Sequence, residues 1–129
     1  MGFPSKLSIS SNAHALARYA ALVQETRMVP IIEPEVLMDG NHSAKTCFNK
    51  TSEVIKKCFE ELYLNKVDLS GIILKPNMVL PGASSKEKIS NDEIAELTLD
   101  CLKNCVPSEV PGIAFLSGGQ TEIEATANL

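Results

Sequence analysis

Three stretches of the chain carry apolar side chains at every third or fourth position, the spacing of amphipathic helices. They are residues 11–25, a stretch that follows Thr51 or Ser52, and a stretch that follows Ser90. Ser90 and Glu93 have the spacing of a capping box, in which each side chain satisfies a backbone N–H group of the other residue. Thr121 and Glu124 repeat that spacing, so the sequence predicts a fourth helix after Thr121.

Between the helices lie three short runs that are almost wholly apolar, at residues 28–32, 71–74 and 112–116. Strands with apolar side chains on both faces are typical of parallel sheets that helices cover. Helices and strands therefore alternate, without a linker or an internal boundary over residues 1–129. A complete (β/α)8 barrel (a TIM barrel) needs about 250 residues. Three parallel strands cannot close such a barrel, so the chain is either an open three-stranded sheet or a piece of a larger fold. We favour the piece, and expect an α/β fold that forms part of such a barrel, with about three parallel strands and alternating helices.

Each apolar run ends at a polar side chain, first Glu33, then Lys75, then Ser117. Successive members of this set are 42 residues apart, which is long enough for one strand–helix–strand step. Parallel strands joined by right-handed crossovers end at the same edge of their sheet. Because that carboxyl edge carries the chemistry of barrels and open α/β sheets, we expect the three side chains to share one site.

Composition narrows the possible functions. The 129 residues carry a net charge of −4 and their basic side chains are scattered, which argues against a nucleic-acid partner. No apolar run reaches the roughly 18 residues of a membrane-spanning helix, and the first seven residues lack the apolar core of a signal peptide. We therefore expect no membrane partner and a cytoplasmic location.

The cysteines and histidines do not have the spacing of a metal site. We interpret the four cysteines as reduced thiols that fill the core, with a disulfide or a metal role as the alternative: Cys47, Cys58, Cys101 and Cys105. The two histidines, His14 and His42, are interpreted as surface or packing residues. The sequence therefore predicts no metal and no other cofactor.

Lys75 is the first candidate for chemistry. A lysine amine at the end of an apolar strand is poorly solvated, which favours the neutral amine that attacks a carbonyl carbon and forms an imine. The alternative is a lysine that extends from a strand end into solvent. Glu33 and Glu35 lie on the same side of an extended segment at the neighbouring strand end, where a carboxyl group could donate and accept protons during imine formation. A solvated acidic turn is the alternative for these two residues.

The third strand is followed by the pentapeptide LSGGQ, which contains Ser117, Gly118 and Gly119. Glycines let backbone N–H groups approach an anion closely, and the amino end of the next helix favours a phosphate. A tight turn without a ligand is the alternative. The pentapeptide is identical to the signature motif of ABC-transporter ATPases, but the GxxxxGK(S/T) loop that such ATPases need is absent, and the helix that follows is acidic rather than basic.

Taken together, these stretches resemble the class I fructose-bisphosphate aldolases, in register over essentially the whole chain. The matching motifs are LARYA at 16–20, VPIIEPE at 29–35, LKPNMV at 74–79 and FLSGGQ at 115–120. The resemblance implies that Lys75 forms the Schiff base, that Glu33 is the acid/base and that Glu35 is a second carboxylate. It also implies that the turn at Ser117, Gly118 and Gly119 binds one substrate phosphate.

The reaction implied by this resemblance is the cleavage of fructose 1,6-bisphosphate to dihydroxyacetone phosphate and glyceraldehyde 3-phosphate in glycolysis. No metal is implied, because the protonated imine accepts the electrons. The full-length family is expected to form homotetramers.

The chain also departs from the family. Ser70 stands where the family usually has an acidic residue, and Ile73 stands where leucine or serine is usual. The chain corresponds roughly to barrel strands five to seven, so an early aspartate, a lysine and two arginines, and a carboxyl-terminal tyrosine of the family fall outside it. Two hypotheses follow. The chain is a segment of a Schiff-base lyase, or it is a catalytically inactive fragment that acts as a phosphate-binding or interaction module.

Overall fold

A computed structural model describes residues 4–129 of the chain. The order of elements is α1 (Lys6–Glu25), β1 (Ile31–Ile32), α2 (Ala44–Leu64), a short 3-10 turn (Leu69–Gly71), β2 (Ile73–Leu74), α3 (Asn91–Cys105) and α4 (Glu122–Ala127). Helices and strands alternate as predicted up to α3, but no strand stands between α3 and α4. Both capping boxes are confirmed. The Ser90 side chain accepts the N–H of Glu93, Thr121 does the same for Glu124, and each glutamate returns the bond.

The first two helices begin earlier than the apolar spacing predicts. α1 begins at Lys6, because the Ser5 side chain accepts the N–H of Ser8 and caps the first turn, whose first three side chains are exposed. α2 begins at Ala44 rather than after Thr51 or Ser52. Thr51 is itself 1% exposed and belongs to the buried stripe of α2, so a polar residue concealed the continuity of that stripe.

The sheet has two strands and one further bridge. β1 and β2 are parallel, with Ile31 opposite Ile73 and Ile32 opposite Leu74. The third predicted strand is reduced to a single parallel bridge between Leu74 and Ile113. In that bridge, the Leu74 N–H donates to Gly112 O at 3.1 Å and the Ala114 N–H donates to Leu74 O at 2.9 Å. The predicted order of three parallel chain segments is therefore present, although only two of them are strands.

One face of the sheet is packed and the other is open. Ile32 and Leu74 are fully buried and lie in one core with apolar residues of α1, α2 and α3. On the opposite face, Ile31 is 51% exposed and Ile73 is partly exposed. The expectation that the strands are buried on both faces is wrong for this chain, because the helices cover only one of them. We call the side that carries Ile31 and Ile73 the open face.

The four cysteines are free and buried, as the sequence predicted. Burial raises the pKa of the Cys58 thiol to about 12 and that of Cys101 to about 11. Cys101 also hydrogen-bonds Ser52 of α2, with its Sγ 3.3 Å from the serine Oγ.

None of the helices described within residues 4–129 combines the length and the apolar character of a membrane-spanning segment.

Candidate active site

Lys75 and Glu33 are in direct contact at the carboxyl edge of the sheet. Lys75 Nζ donates a hydrogen bond to Glu33 Oε1 at 2.5 Å, and the two groups form an ion pair. The sheet register produces this contact, since Ile32 lies opposite Leu74 and the next residue of each strand is Glu33 or Lys75. The Lys75 N–H donates to Ile32 O at 2.7 Å and extends the ladder to that level.

The ion pair lies on the open face of the sheet. Side chains alternate along a strand, so Lys75 leaves β2 on the side of Ile73, and Glu33 leaves β1 on the side of Ile31. The Lys75 side chain is 20% exposed and the Glu33 side chain is 46% exposed. The amine is therefore held by a carboxylate while one side of it is accessible to a small molecule.

Glu35 lies at the same carboxyl edge of the sheet but does not take part in the ion pair. Its backbone N–H donates to Glu33 O at 3.1 Å, and its side chain is exposed. Glu35 lines a small cleft together with Asn77 and Gly118. The structure thus brings Glu33 to the amine, whereas Glu35 shares a small cleft with Gly118 of the glycine turn.

The turn after the third apolar run is formed by two glycines with positive φ. Gly118 has φ of +57° and Gly119 has φ of +84°, and the Gln120 N–H closes the turn on Ser117 O at 3.1 Å. Only glycine adopts two such values in succession without strain. Ala114 is level with Lys75 in the sheet, so Ser117 lies at most about 11 Å further along the chain at the same edge.

The amino end of the helix after this turn has fewer N–H groups available for a phosphate than the sequence predicts. α4 has 6 residues, and its capping box already uses the N–H groups of Thr121 and Glu124. The backbone N–H and then the hydroxyl of Thr121 donate to the Glu124 carboxyl and hold its pKa below its usual value, so a carboxylate of the chain itself lies at that helix end. The backbone N–H groups of Gly118 and Gly119 are therefore the better candidates for contact with an anion.

A large cavity lies beside this site rather than at the amine. It has a volume of about 1010 Å³ and opens between α1, α2 and the segment after β1. Glu33 and Glu35 line it, whereas Lys75 is not among its lining residues. The candidate catalytic residues are therefore those of the ion pair, and the cavity does not identify them.

Among residues 4–129, no group of three or more His, Cys, Asp or Glu side chains is arranged as a metal site.

Asn77 is a further residue at this strand end, which the sequence indicates only as part of the motif LKPNMV. It follows Lys75-Pro76 at the strand end, and its Oδ1 accepts the N–H of Val36 at 2.9 Å. Its Nδ2 donates to Thr51 Oγ1 of α2 at 2.9 Å. An amide two residues after a strand-end lysine is the signal that the sequence offers, but the partners of that amide are 41 and 26 residues away in the sequence.

Parallel strands with helices on one face, and a lysine–carboxylate pair at their carboxyl edge, are consistent with part of a (β/α)8-barrel protein, the class in which this edge carries the chemistry. The particular family follows from sequence. The family described as "Glycolytic: Fructose-bisphosphate aldolase class-I" matches residues 1–129, and the chain belongs to this family.

Individual relatives agree with this assignment. The chain is 52% identical over 126 residues to the "Probable fructose-bisphosphate aldolase class 1" of Xylella fastidiosa, covering 98% of this chain and 38% of the relative. It is 50% identical over 126 residues to "Fructose-bisphosphate aldolase 2, chloroplastic" of Pisum sativum, covering 98% of this chain and 36% of that relative. A solved Plasmodium falciparum fructose-bisphosphate aldolase, in complex with TRAP and a small-molecule inhibitor, superposes with a TM-score of 0.95 at 46% identity.

That superposition covers 97% of this chain and 36% of the Plasmodium chain. The fold is therefore that of an aldolase barrel, of which this chain forms a part. The chain spans little more than a third of the length of the relatives it matches.

Proposed function

We propose that this chain supplies the Schiff-base lysine and the acid/base carboxylate of a fructose-bisphosphate aldolase, acting in glycolysis as one partial barrel domain. The observation that carries the proposal is the 2.5 Å contact between Lys75 Nζ and Glu33 Oε1. A lysine on a barrel strand with a proton-transfer group beside it has the two components that imine chemistry needs. The family of the chain is consistent with this reaction.

The chemistry begins when the neutral Lys75 amine attacks the ketone carbon of fructose 1,6-bisphosphate. Loss of water from the resulting carbinolamine requires an acid to protonate the departing hydroxyl, and Glu33, once protonated, is placed for that step. The protonated imine then accepts the electron pair of the breaking carbon–carbon bond, while a base removes the proton of the hydroxyl on the carbon that leaves. Glyceraldehyde 3-phosphate departs, and the enamine is protonated and hydrolysed to dihydroxyacetone phosphate.

The roles proposed for Glu35 and for the glycine turn rest on their positions in the structure. Glu35 lines a small cleft together with Gly118 at this edge of the sheet, a position that suits a second carboxylate. The backbone N–H groups at Ser117, Gly118 and Gly119 would bind one phosphate of the sugar bisphosphate, at a distance along the edge that suits the two ends of a small substrate. No metal or other cofactor takes part in this scheme, because the protonated imine serves as the electron sink.

The open face favours a second candidate. Ile31 and Ile73 leave apolar surface uncovered, and exposed apolar surface at open strand edges is typical of interaction sites. On this reading the chain is an inactive fragment that binds a phosphate or another protein. The two candidates differ in one respect, since only the first requires a covalent bond to Lys75.

We also propose a cytoplasmic location and a homotetramer for the full-length protein. The four free thiols suit a reducing compartment. The pea relative is named as chloroplastic, so membership of the family does not decide the compartment. Cell fractionation tests the location, and light scattering of the full-length protein tests the assembly.

Borohydride trapping tests the main proposal. Incubating the chain with dihydroxyacetone phosphate and sodium borohydride should reduce the imine to a stable secondary amine on the Lys75 peptide, detected by mass spectrometry. Lys75→Met should abolish the adduct and Glu33→Gln should slow its formation. An adduct that survives Lys75→Met, or no adduct in a folded unsubstituted chain, would refute the mechanism and favour the inactive fragment.

A further inference from the structure

The side chain of Asn77 joins three separate parts of the chain. Its Oδ1 accepts the N–H of Val36 at 2.9 Å. Its Nδ2 donates to Thr51 Oγ1 at 2.9 Å and to Met78 O at 3.1 Å. An amide has an acceptor on one side and two donors on the other, and Asn77 uses both ends.

These contacts lie where the β1–β2 ladder ends. The last ladder bond runs from the Lys75 N–H to Ile32 O. We call the segment after β1 and the segment after β2 the two rim segments. Among residues 4–129, the next backbone hydrogen bond between them runs from the Ala83 N–H to Met38 O at 2.8 Å. Between these two points, the hydrogen bond from Val36 to Asn77 links the chain after Glu35 to the chain after Lys75.

The other end of the amide is anchored in the helix layer. Thr51 lies in the middle of α2, is 1% exposed and is surrounded by the core. Asn77 is itself only partly exposed, so its hydrogen bonds are sheltered from competing water. α2 is also the connection between β1 and β2, and Asn77 therefore ties both rim segments to the helix that joins them.

We infer that Asn77 is a positioning residue, which holds the segment of Glu33 and Glu35 in register with Lys75 so that the carboxylate stays at the amine. The inference rests on the proposed function, since it concerns the geometry of the same imine chemistry. Displacements of about 1 Å at a reacting centre can cost about a hundredfold in rate. Loss of the amide should therefore slow the proton transfers that Glu33 performs more than it weakens the binding of substrate.

The chain offers a matched control. Thr98 of α3 is 6% exposed, and its Oγ1 accepts the N–H of Val79 at 2.9 Å. Thr98 thus anchors the same loop after β2 to a helix, as Asn77 does, but it has no contact with the segment after β1 among its described hydrogen bonds. Asn77→Ala and Thr98→Ala each remove a sheltered anchor, and only the first should affect the position of Glu33.

The first measurement concerns position and needs no substrate. A water-soluble carbodiimide activates the Glu33 carboxyl, and the Lys75 amine displaces the activated group to form an amide bond while the carbodiimide leaves as a urea. Peptide mapping gives the yield of this Glu33–Lys75 crosslink. Asn77→Ala should lower the yield several-fold, and Thr98→Ala should leave it unchanged. Asn77→Asp keeps an acceptor for the Val36 N–H and should restore most of the yield.

The second measurement is the rate of borohydride trapping as a function of dihydroxyacetone phosphate concentration. Asn77→Ala should lower the maximal rate about tenfold or more while the half-saturating concentration changes little. If Asn77→Ala does not fold, Thr51→Val removes the anchor of the amide instead and should give a smaller loss in both measurements.

The two proposals fail in different ways. Without an adduct in the unsubstituted folded chain, the proposed function is wrong, and the crosslink yields alone decide on Asn77. A crosslink yield that is equal in Asn77→Ala and the unsubstituted chain, or that falls equally in Thr98→Ala, would overturn the positioning role.

Discussion

Met38 occupies the space that a side chain at Gly119 would need. A Cβ built on Gly119 would lie 2.9 Å from Met38 Cε and 3.0 Å from Met38 Cγ. Met38 belongs to the segment after β1, and its carbonyl also accepts the N–H of Ala83 from the segment after β2. The glycine turn is therefore packed against the segment that carries the two rim carboxylates.

Gly119→Ala should destabilise the chain more than Gly118→Ala. Both positions have positive φ, which costs an alanine about 1–2 kcal/mol. Only position 119 adds contacts shorter than those found around real side chains, whereas the nearest atom to a Cβ at Gly118 is Leu116 O at 4.0 Å. Urea unfolding should show the difference, and Met38→Ala should reduce the cost of Gly119→Ala. Equal costs at the two glycines would contradict the packing role of Met38.

Acid should weaken the contact between α1 and α2 through Glu61. His14 Nδ1 lies 3.0 Å from Glu61 Oε2, and this hydrogen bond, with a second from Lys57, holds the pKa of the Glu61 carboxyl below its ordinary value of 4.5. A carboxyl with a depressed pKa in the folded state stabilises the fold fully above its ordinary pKa, and this contribution disappears as the pH falls through the lower, folded value.

Urea midpoints measured from pH 6 down to pH 3 test this linkage. Glu61→Gln should lower stability at pH 6 and flatten part of the decline below about pH 4.5. Some decline should remain, because hydrogen bonds also depress the pKa of Asp68 and of Glu124. Glu53→Gln is the control, since Glu53 pairs with Lys50 within one helix and does not join two helices. An identical acid profile in Glu61→Gln would show that the link between the helices contributes nothing.

The buried thiols should be almost inert in the folded chain. With the pKa of Cys101 raised to about 11 by burial, on the order of one thiol in a thousand is ionised at pH 8, and the thiolate is the reactive form. Cys58, with a pKa of about 12, should react more slowly still. A disulfide-exchange reagent should therefore label the native chain slowly and all four cysteines rapidly in urea. Rapid labelling of Cys58 in the native chain would mean that the core opens readily.

Much of the site could be predicted because it depends on local pattern and on the geometry of parallel strands. Two apolar runs that end at Glu33 and Lys75, one crossover apart, must place those residues at the same edge when the strands are parallel. The Ser90 and Thr121 capping boxes are likewise local, since each depends on residues only three positions apart. Such features follow from sequence because few distant contacts can change them.

The rest could not be predicted because it depends on distant partners. Asn77 and Met38 are ordinary polar and apolar residues until the fold places Val36 beside one and Gly119 beside the other. Apolar strands indicate burial on both faces, but Ile31 is exposed, since apolar composition does not reveal whether a second layer is present. The sequence predicts a helix boundary near Thr51, because the buried partner of this polar residue, Asn77, lies 26 residues away.

The open face should control the tendency of the chain to self-associate. Ile31 is 51% exposed and its neighbour Ile32 is fully buried, so the two residues form a matched pair with the same side chain on opposite faces of β1. Ile31→Lys replaces apolar surface on the open face with a charge, which should reduce association with little loss of stability. Ile32→Lys places a charge in the core and should unfold the chain. Sedimentation velocity together with circular dichroism separates the two effects. If Ile31→Lys unfolds the chain as Ile32→Lys does, the side chain of Ile31 is buried in solution, and a partner or a second copy must cover the open face.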